Sequence, residues 1–359
     1  MIVPQDHIAG MAAYALADLS PPKGKRLISL SQNESLRPPA PGVLEAISKA
    51  ASGVQAYPDP DWTDLRKALA TQHGIDPALI LCGNGSLDLI GCLARVYLGP
   101  SDAALAPAHA YPFFKTATLM TGARFDTAPE TGLTADVDAL LAAVTSETRI
   151  VFLANPGNPT GTRLSRADVL RLRDGLQGEI LLVLDEAYGE FADHLSEPMF
   201  DLVTRGNTVL LRTFSKAYGL AGMRVGWGYF PPEIRDELRK VINPNNVSGI
   251  SQVAALAALV DQNYMRETCR LTAHHRDAFI PGMRDVGIDA SDSFANFALL
   301  SFATSEQAAS VGAALRREGV FVRPQSGAGL PHCLRVTIAQ EAEMTKAAQL
   351  IKKAVCHAN

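Results

Sequence analysis

Thr213–Trp227 reads TFSKAYGLAGMRVGW, directly after the apolar run TVLLR at 208–212. A run of that length, rich in Val and Leu, has the make-up of a buried strand, so Lys216 stands just past a strand end. Thr213 and Ser215 place hydroxyls beside it, Gly219 and Gly222 loosen the turn, and Arg224 lies eight residues on. An amine in that setting can condense with an aldehyde while hydroxyls and a guanidinium hold an anion nearby. The combination suits pyridoxal 5'-phosphate, whose aldehyde needs an amine and whose phosphate needs donors and positive charge. A loop lysine on the surface is the plain alternative, and the rest of the chain decides between them.

Upstream, two more apolar runs end in polar residues. ILLVLDEAYGEF, 180–191, ends its run at Asp185, with Tyr188 shortly after; IVFLANPGNPTG, 150–161, ends in a loop carrying Asn158. ILCGNGSLDLI, 80–90, reads as strand, loop and helix, with Gly85 and Ser86 at the helix start, where backbone N–H groups bind phosphate. Asp88 stands where a dinucleotide fingerprint needs its third glycine, which argues against an NAD oxidoreductase. Strands and helices alternate in this way to about residue 245, the rhythm of a mostly parallel sheet with helices on both faces. Ligands of such sheets sit at the carboxyl ends of strands, and Asn158, Asp185 and Lys216 all fall there. A buried carboxylate such as Asp185 can stabilise a protonated pyridine nitrogen. Glu186, its neighbour, points to the opposite side of a strand, so no metal site is expected. Asn158 and Tyr188 can meet the ring's phenolic oxygen, and Tyr111 is a candidate for its face.

The remaining chain frames this centre. The sequence has 359 residues, more than one core usually holds, with 47% apolar and 19% charged residues. Three parts are expected: an N-terminal arm over 1–40, a large domain over 41–245, and a smaller α+β domain over 246–359 that the arm joins. A helix is expected near 6–18, another from Pro41, and a third over 63–73 capped by Thr63 or Asp64. In the arm, SLSQNES presents Asn33 and Glu34 after an apolar ISL, either as a turn or as a segment facing substrate. The net charge of −4 and the lack of a dense Lys/Arg stripe exclude nucleic acid as an expected partner. No apolar run reaches membrane-spanning length, the N-terminus lacks a basic leader, and five scattered cysteines form no disulfide or zinc pattern. A cytoplasmic location is expected.

NPGNPTG, DEAY and TFSKAYGLAGMRVG, in that order, resemble the fold-type I pyridoxal phosphate aminotransferases. LSQNES, YPDPD and GNGSLDLI are similar to the branch that contains histidinol-phosphate aminotransferase. The resemblance covers nearly the whole chain. It implies a seven-stranded, mostly parallel sheet, pyridoxal 5'-phosphate as cofactor, Lys216 as the Schiff-base lysine and Asp185 as partner of the pyridine nitrogen. Asn158 and Tyr188 would contact the ring oxygen, Tyr111 would stack on the ring, and Gly85, Ser86, Thr213, Ser215 and Arg224 would hold the phosphate. Tyr57, in YPDPD, would reach the phosphate of a neighbouring subunit, which implies a homodimer with shared sites. Arg335, in LRVT, would grip a substrate carboxylate; Arg323, Asn33 and Tyr14 are further substrate candidates. The implied activity is transfer of an amino group, with histidinol phosphate and 2-oxoglutarate the leading pair and a place in histidine biosynthesis. Aminotransfer from aromatic or other amino acids is the alternative, and a lyase acting on threonine phosphate a third. The branch usually has NENPYGP where this chain has NESLRPP, an acidic residue at Leu87, an asparagine-type residue at Gly157 and Pro-Thr at His109-Ala110. The first departure falls where the arm should meet substrate.

Overall fold

The computed structural model describes residues 2–13, 19–195 and 198–356. The strands, in chain order, are β1 (Ile28–Leu30), β2 (Ile80–Gly83), β3 (Ala103–Pro107), β4 (Arg124–Ala128), β5 (Glu130–Thr131), β6 (Thr134–Ala135), β7 (Thr148–Ala154), β8 (Leu181–Asp185), β9 (Thr208–Thr213), β10 (Gly226–Tyr229), β11 (Asp289–Ala290), β12 (Phe297–Ser301), β13 (Val320–Gln325) and β14 (Leu330–Thr337). Seven of them form one sheet in the order β2-β10-β9-β8-β7-β3-β4. All pairings are parallel except those of β10, which runs against both β2 and β9. The apolar runs lie at its centre: β3, β8 and β9 are buried along their whole length. Runs without alternation are what a sheet covered on both faces requires.

Two of the seven strands are not apparent in the sequence. β4 is polar and partly exposed because it forms an edge. β10, Gly-Trp-Gly-Tyr, follows β9 with only the single 3-10 turn Ala221–Met223 between them, too short a connection for a parallel crossover, so it returns antiparallel. Gly226 and Gly228 are needed there. A Cβ on Gly226 would come within 2.3 Å of Ser86 N, and one on Gly228 within 2.6 Å of the Phe230 ring.

A second sheet, β1-β13-β14-β12-β11, packs with helices Gln262–Arg284, Ser305–Arg317 and Glu341–Cys356 around a separate apolar cluster. The arm enters it through β1, which pairs in parallel with β13, Ile28 opposite Val320. The helix Gly249–Val260 lies with the larger cluster instead: Ala254, Ala255, Ala258 and Leu259 are buried there, and the helix packs on Pro41–Ala50. A boundary at 245–246 would therefore cut an alanine-faced helix from the core that buries it.

Local expectations fare unevenly. The helix Thr63–His73 is present, but neither Thr63 nor Asp64 caps it. Trp62 occupies the cap position with φ 50°, and the Asp59 carboxylate accepts the Thr63 N–H at 2.7 Å. Trp62 is buried in the core, which turns the chain so that the carboxylate four residues back reaches the open helix end. Near the N-terminus the helix covers only Asp6–Ala9 and stops at Gly10; residues 14–18, including Tyr14, lie outside the described part.

Candidate active site

The carboxyl ends of β7, β8 and β9, the start of the helix Ser86–Tyr97, the arm and the β13–β14 pair surround a cavity of about 510 Å³. Twelve of the residues singled out in the sequence line it: Asn33, Ser86, Tyr111, Asn158, Asp185, Tyr188, Thr213, Ser215, Lys216, Arg224, Arg323 and Arg335. Gly85 stands just behind the wall, as the N-cap of that helix with φ 77°. Tyr57 is elsewhere, on the surface and 89% exposed.

Lys216 sits past the end of β9 with its amine directed at the arm, donating to Gln32 O at 3.1 Å. Burial, helped by the charges of Arg335 and Arg224, brings its pKa down to about 7. Across the cavity floor, Asp185 ends β8. Burial pushes its carboxyl up to about 7, although the Ala187 N–H donates to Oδ1 at 3.0 Å. A buried carboxyl with this much unmet demand for a cationic partner and a half-buried amine held near neutrality face one space.

At one end is an anion cup. Thr213 Oγ1 donates to Ser215 Oγ at 3.0 Å and accepts the Ser215 N–H at 3.2 Å; Arg224 Nη1 donates to Ser215 Oγ at 3.3 Å. Arg224 itself holds a left-handed backbone, φ 50°. A Cβ on Gly85 would come within 2.4 Å of Arg224 Nη2, so glycine lets the guanidinium approach the helix N-terminus, where unpaired N–H groups attract anions.

The opposite end is built by the arm and the smaller sheet. Arg335, buried on β14, donates to Asn158 Oδ1 at 2.5 Å and to Ser31 O at 2.8 Å. Arg323 is its directly opposed partner on β13. Asn33, the residue that read equally as turn or as substrate contact, has φ 55° and lines the cavity, but its amide is committed to protein. Nδ2 donates to Tyr188 Oη at 2.8 Å, and Oδ1 accepts from Thr337 Oγ1 at 3.2 Å.

Gln32, Gln325, Leu87 and Glu34 also line the wall; of these Gln32 and Gln325 carried no functional signal in the sequence beyond their positions, Gln32 within SLSQNES and Gln325 directly after VFVRP. Behind Asp185, on the other face of β8, Arg212 is 1% exposed and forks to Glu186 at 2.7 Å and Asp193 at 2.7 Å, with Glu190 at 3.5 Å. That cluster ties β8 and β9 together beneath the cavity floor.

This donor set fits pyridoxal 5'-phosphate: an amine for the aldehyde, a cup of N–H, hydroxyl and guanidinium donors for the phosphate, and a buried carboxyl for the ring nitrogen. The comparisons with known proteins agree. The family model for aminotransferase class I and II matches residues 25–351. The histidinol-phosphate aminotransferase of Cereibacter sphaeroides (strain KD131) is 39% identical over 350 residues, 98% of this chain and 97% of that protein. That of Rhodospirillum rubrum is 42% identical over 326 residues, 89% of this chain and 88% of its own length. A crystal structure of histidinol-phosphate aminotransferase from Sinorhizobium meliloti, in complex with pyridoxal-5'-phosphate, superposes with a TM-score of 0.88 at 34% identity, covering 92% of this chain and 91% of that one. From the lysine past its strand end to the match along nearly its whole length, the chain belongs to the class I and II aminotransferases.

Proposed function

We propose that the protein transfers the amino group of L-histidinol phosphate to 2-oxoglutarate, with pyridoxal 5'-phosphate held at Lys216. That group supplies, when bound, an electron-poor ring that makes the proton on an attached amine-bearing carbon removable. Asp185 holds the ring nitrogen in its protonated form; its buried carboxylate is stabilised by such a cation. Asn158 and Tyr188 bind the ring oxygen, and Tyr111 covers the ring face. Gly85, Ser86, Thr213, Ser215 and Arg224 bind the cofactor phosphate. Lys216, with a pKa near 7, is suited to take a proton and return it to a neighbouring carbon, since a base works best with its pKa near the working pH.

The observation that carries the substrate choice is the Arg323–Arg335 pair. Two guanidinium residues stand directly opposed on one antiparallel ladder and both line the cavity, so a dianion entering there meets two charged donors. A phosphate monoester is such a group, and so are the two carboxylates of 2-oxoglutarate. Arg335, forked between Asn158 and Ser31, presents a planar donor that lysine would not reproduce. The names of the relatives at 39% and 42% identity support the same donor. A second reading, an aromatic amino acid as donor, draws on the apolar wall of Leu87, Tyr111 and Pro112.

Tyr57 belongs to the cup of a neighbouring subunit in this reading, so the working unit is a homodimer. Support comes from its exposure and that of Leu44, Val54, Val253 and Val260, large apolar side chains on and beside two helices that pack together. The boundary between the two domains is set beyond Val260, with residues 28–30 counted in the smaller one. Five free cysteines and the absence of any helix long and apolar enough to cross a membrane, among the described residues, support a cytoplasmic setting.

The test is a panel of amino donors with 2-oxoglutarate, following the cofactor absorbance and the keto product. Histidinol phosphate is expected to convert the absorbance and to form glutamate together with the keto phosphate. A spectrum that phenylalanine shifts and histidinol phosphate leaves unchanged would move the assignment to aromatic donors; carbon dioxide release from threonine phosphate, which has the α-carboxylate that histidinol phosphate lacks, would move it to a lyase.

A further inference from the structure

The cavity has two carboxylates among its lining residues, Asp185 on the floor and Glu34 on the wall. Asp185 is taken up by the ring nitrogen in the reading above. Glu34 is left over, and the structure fixes where it stands. Its backbone is held from both sides: Asn296 Nδ2 donates to Asn33 O at 3.0 Å and to Glu34 O at 3.2 Å, and the Asn33 N–H donates to Thr337 Oγ1 at 2.9 Å. Its side chain is exposed to the cavity mouth and accepts from Ser29 Oγ through Oε2 at 3.2 Å. It is close enough to Lys216 to favour the protonated amine there.

The proposed donor has three polar features. Its phosphate suits the arginines, its amine goes to the reaction centre, and its imidazole carries an N–H, with positive charge when protonated. Among the lining residues the anionic acceptor left for that ring is Glu34. We infer that Glu34 is the specificity residue for the donor side chain, accepting a hydrogen bond from a nitrogen heterocycle or a cationic group and disfavouring a plain hydrocarbon ring. A phenyl group seated there would strip water from a carboxylate and return no hydrogen bond, the arrangement by which a polar site rejects an apolar analogue. This inference rests on the proposed aminotransfer from an amino-alcohol phosphate and names the part of the wall that reads its ring.

The experiment compares two donors that share amine and phosphate and differ in the ring, L-histidinol phosphate and L-phenylalaninol phosphate, by kcat/KM at saturating 2-oxoglutarate. The readout is the imidazole-to-phenyl preference, which cancels any general loss of rate. Glu34→Leu in the holoenzyme is expected to lower that preference by about tenfold or more, the worth of one charge-assisted hydrogen bond. A smaller fall overturns the inference. Should Glu34→Leu lose its cofactor absorbance, Glu34→Gln takes its place, with a fall of about threefold or more expected from loss of the charge alone, and anything less overturning it. If the unaltered protein accepts neither donor, the amino-alcohol phosphate reading fails first and this one with it. A wild-type protein that accepts both donors equally leaves the function standing and sinks only the role of Glu34.

Discussion

Asn33 and Tyr188, 155 residues apart, are joined by a hydrogen bond of 2.8 Å from the Asn33 amide to the Tyr188 hydroxyl. One end belongs to the arm that enters the smaller sheet, the other to the loop that follows Asp185. The bond therefore couples the arm to the cavity floor. Replacing Asn33 by alanine leaves the buried Thr337 hydroxyl without its acceptor and Tyr188 without its donor. A loss of about 1–3 kcal/mol in folding stability is expected, measured by denaturant unfolding of the holoenzyme. The pKa of the cofactor chromophore should move as well, because the Tyr188 hydroxyl loses the hydrogen bond from the Asn33 amide.

The pH dependence of the cofactor-free protein follows from Lys216. Its folded pKa, about 7, lies below the 10.5 of an unperturbed lysine. Between those values the unfolded chain carries the proton and the folded chain does not, so stability rises with pH through that window and is lost as pH falls toward 7. Relative to Lys216→Met, the wild-type apo-protein should gain up to about 1.4 kcal/mol per pH unit from pH 7 to 10.5. Paired unfolding curves across this range provide the check; parallel curves would contradict the lowered pKa of the amine.

Gly226 backs the anion cup. A methyl group there would lie 2.3 Å from Ser86 N and 2.7 Å from Gly85 C, both backbone atoms with little freedom to yield. Gly226→Ala should displace the start of the helix Ser86–Tyr97 and weaken pyridoxal 5'-phosphate binding by about tenfold or more. Titration of apo-protein with the cofactor measures it. Pyridoxal lacking the phosphate should bind both forms with similar affinity.

Complementation tests the shared site. Tyr57→Ala and Lys216→Ala each disable a different element, and a hybrid dimer of the two would rebuild one native site, with Lys216 from one subunit and Tyr57 from the other. Mixing the two variants under exchange conditions should restore activity at limiting cofactor to about a quarter of the wild-type value, the share set by random pairing. Mixtures no more active than the separate variants would remove Tyr57 from the site.

Much of this centre is legible in sequence because parallel strands deliver their ends to one edge. Once TVLLRTFSK, LLVLDEAY and IVFLANPGN are read as strands, Lys216, Asp185 and Asn158 must converge. The glycine-bounded start of the helix Ser86–Tyr97 is legible for the same reason. What escapes is pairing between distant side chains. Arg212 looks like an interruption in an apolar run, yet it is buried against Glu186, Glu190 and Asp193. Only the expectation that Glu186 faces away from Asp185 hinted that a cation was required behind the sheet. Asn33 escapes too, since nothing in SQNES tells that its amide will be claimed by Tyr188 and Thr337. The Asp59 cap lies outside any local rule, because it depends on the burial of Trp62.

The parallel pairing of β1 with β13 has a consequence for how the protein is made. Residues 28–30 leave the ribosome early and find their strand partner only when residues 320–322 have followed. Arg335 and Thr337 arrive later still, and both hold the arm in place. A growing polypeptide can already collapse around the larger sheet, since domains generally condense as units during synthesis. It cannot close the wall over Lys216 until the strand carrying Arg335 and Thr337 has followed, so products truncated before that strand carry the lysine but lack the enclosure that tunes it.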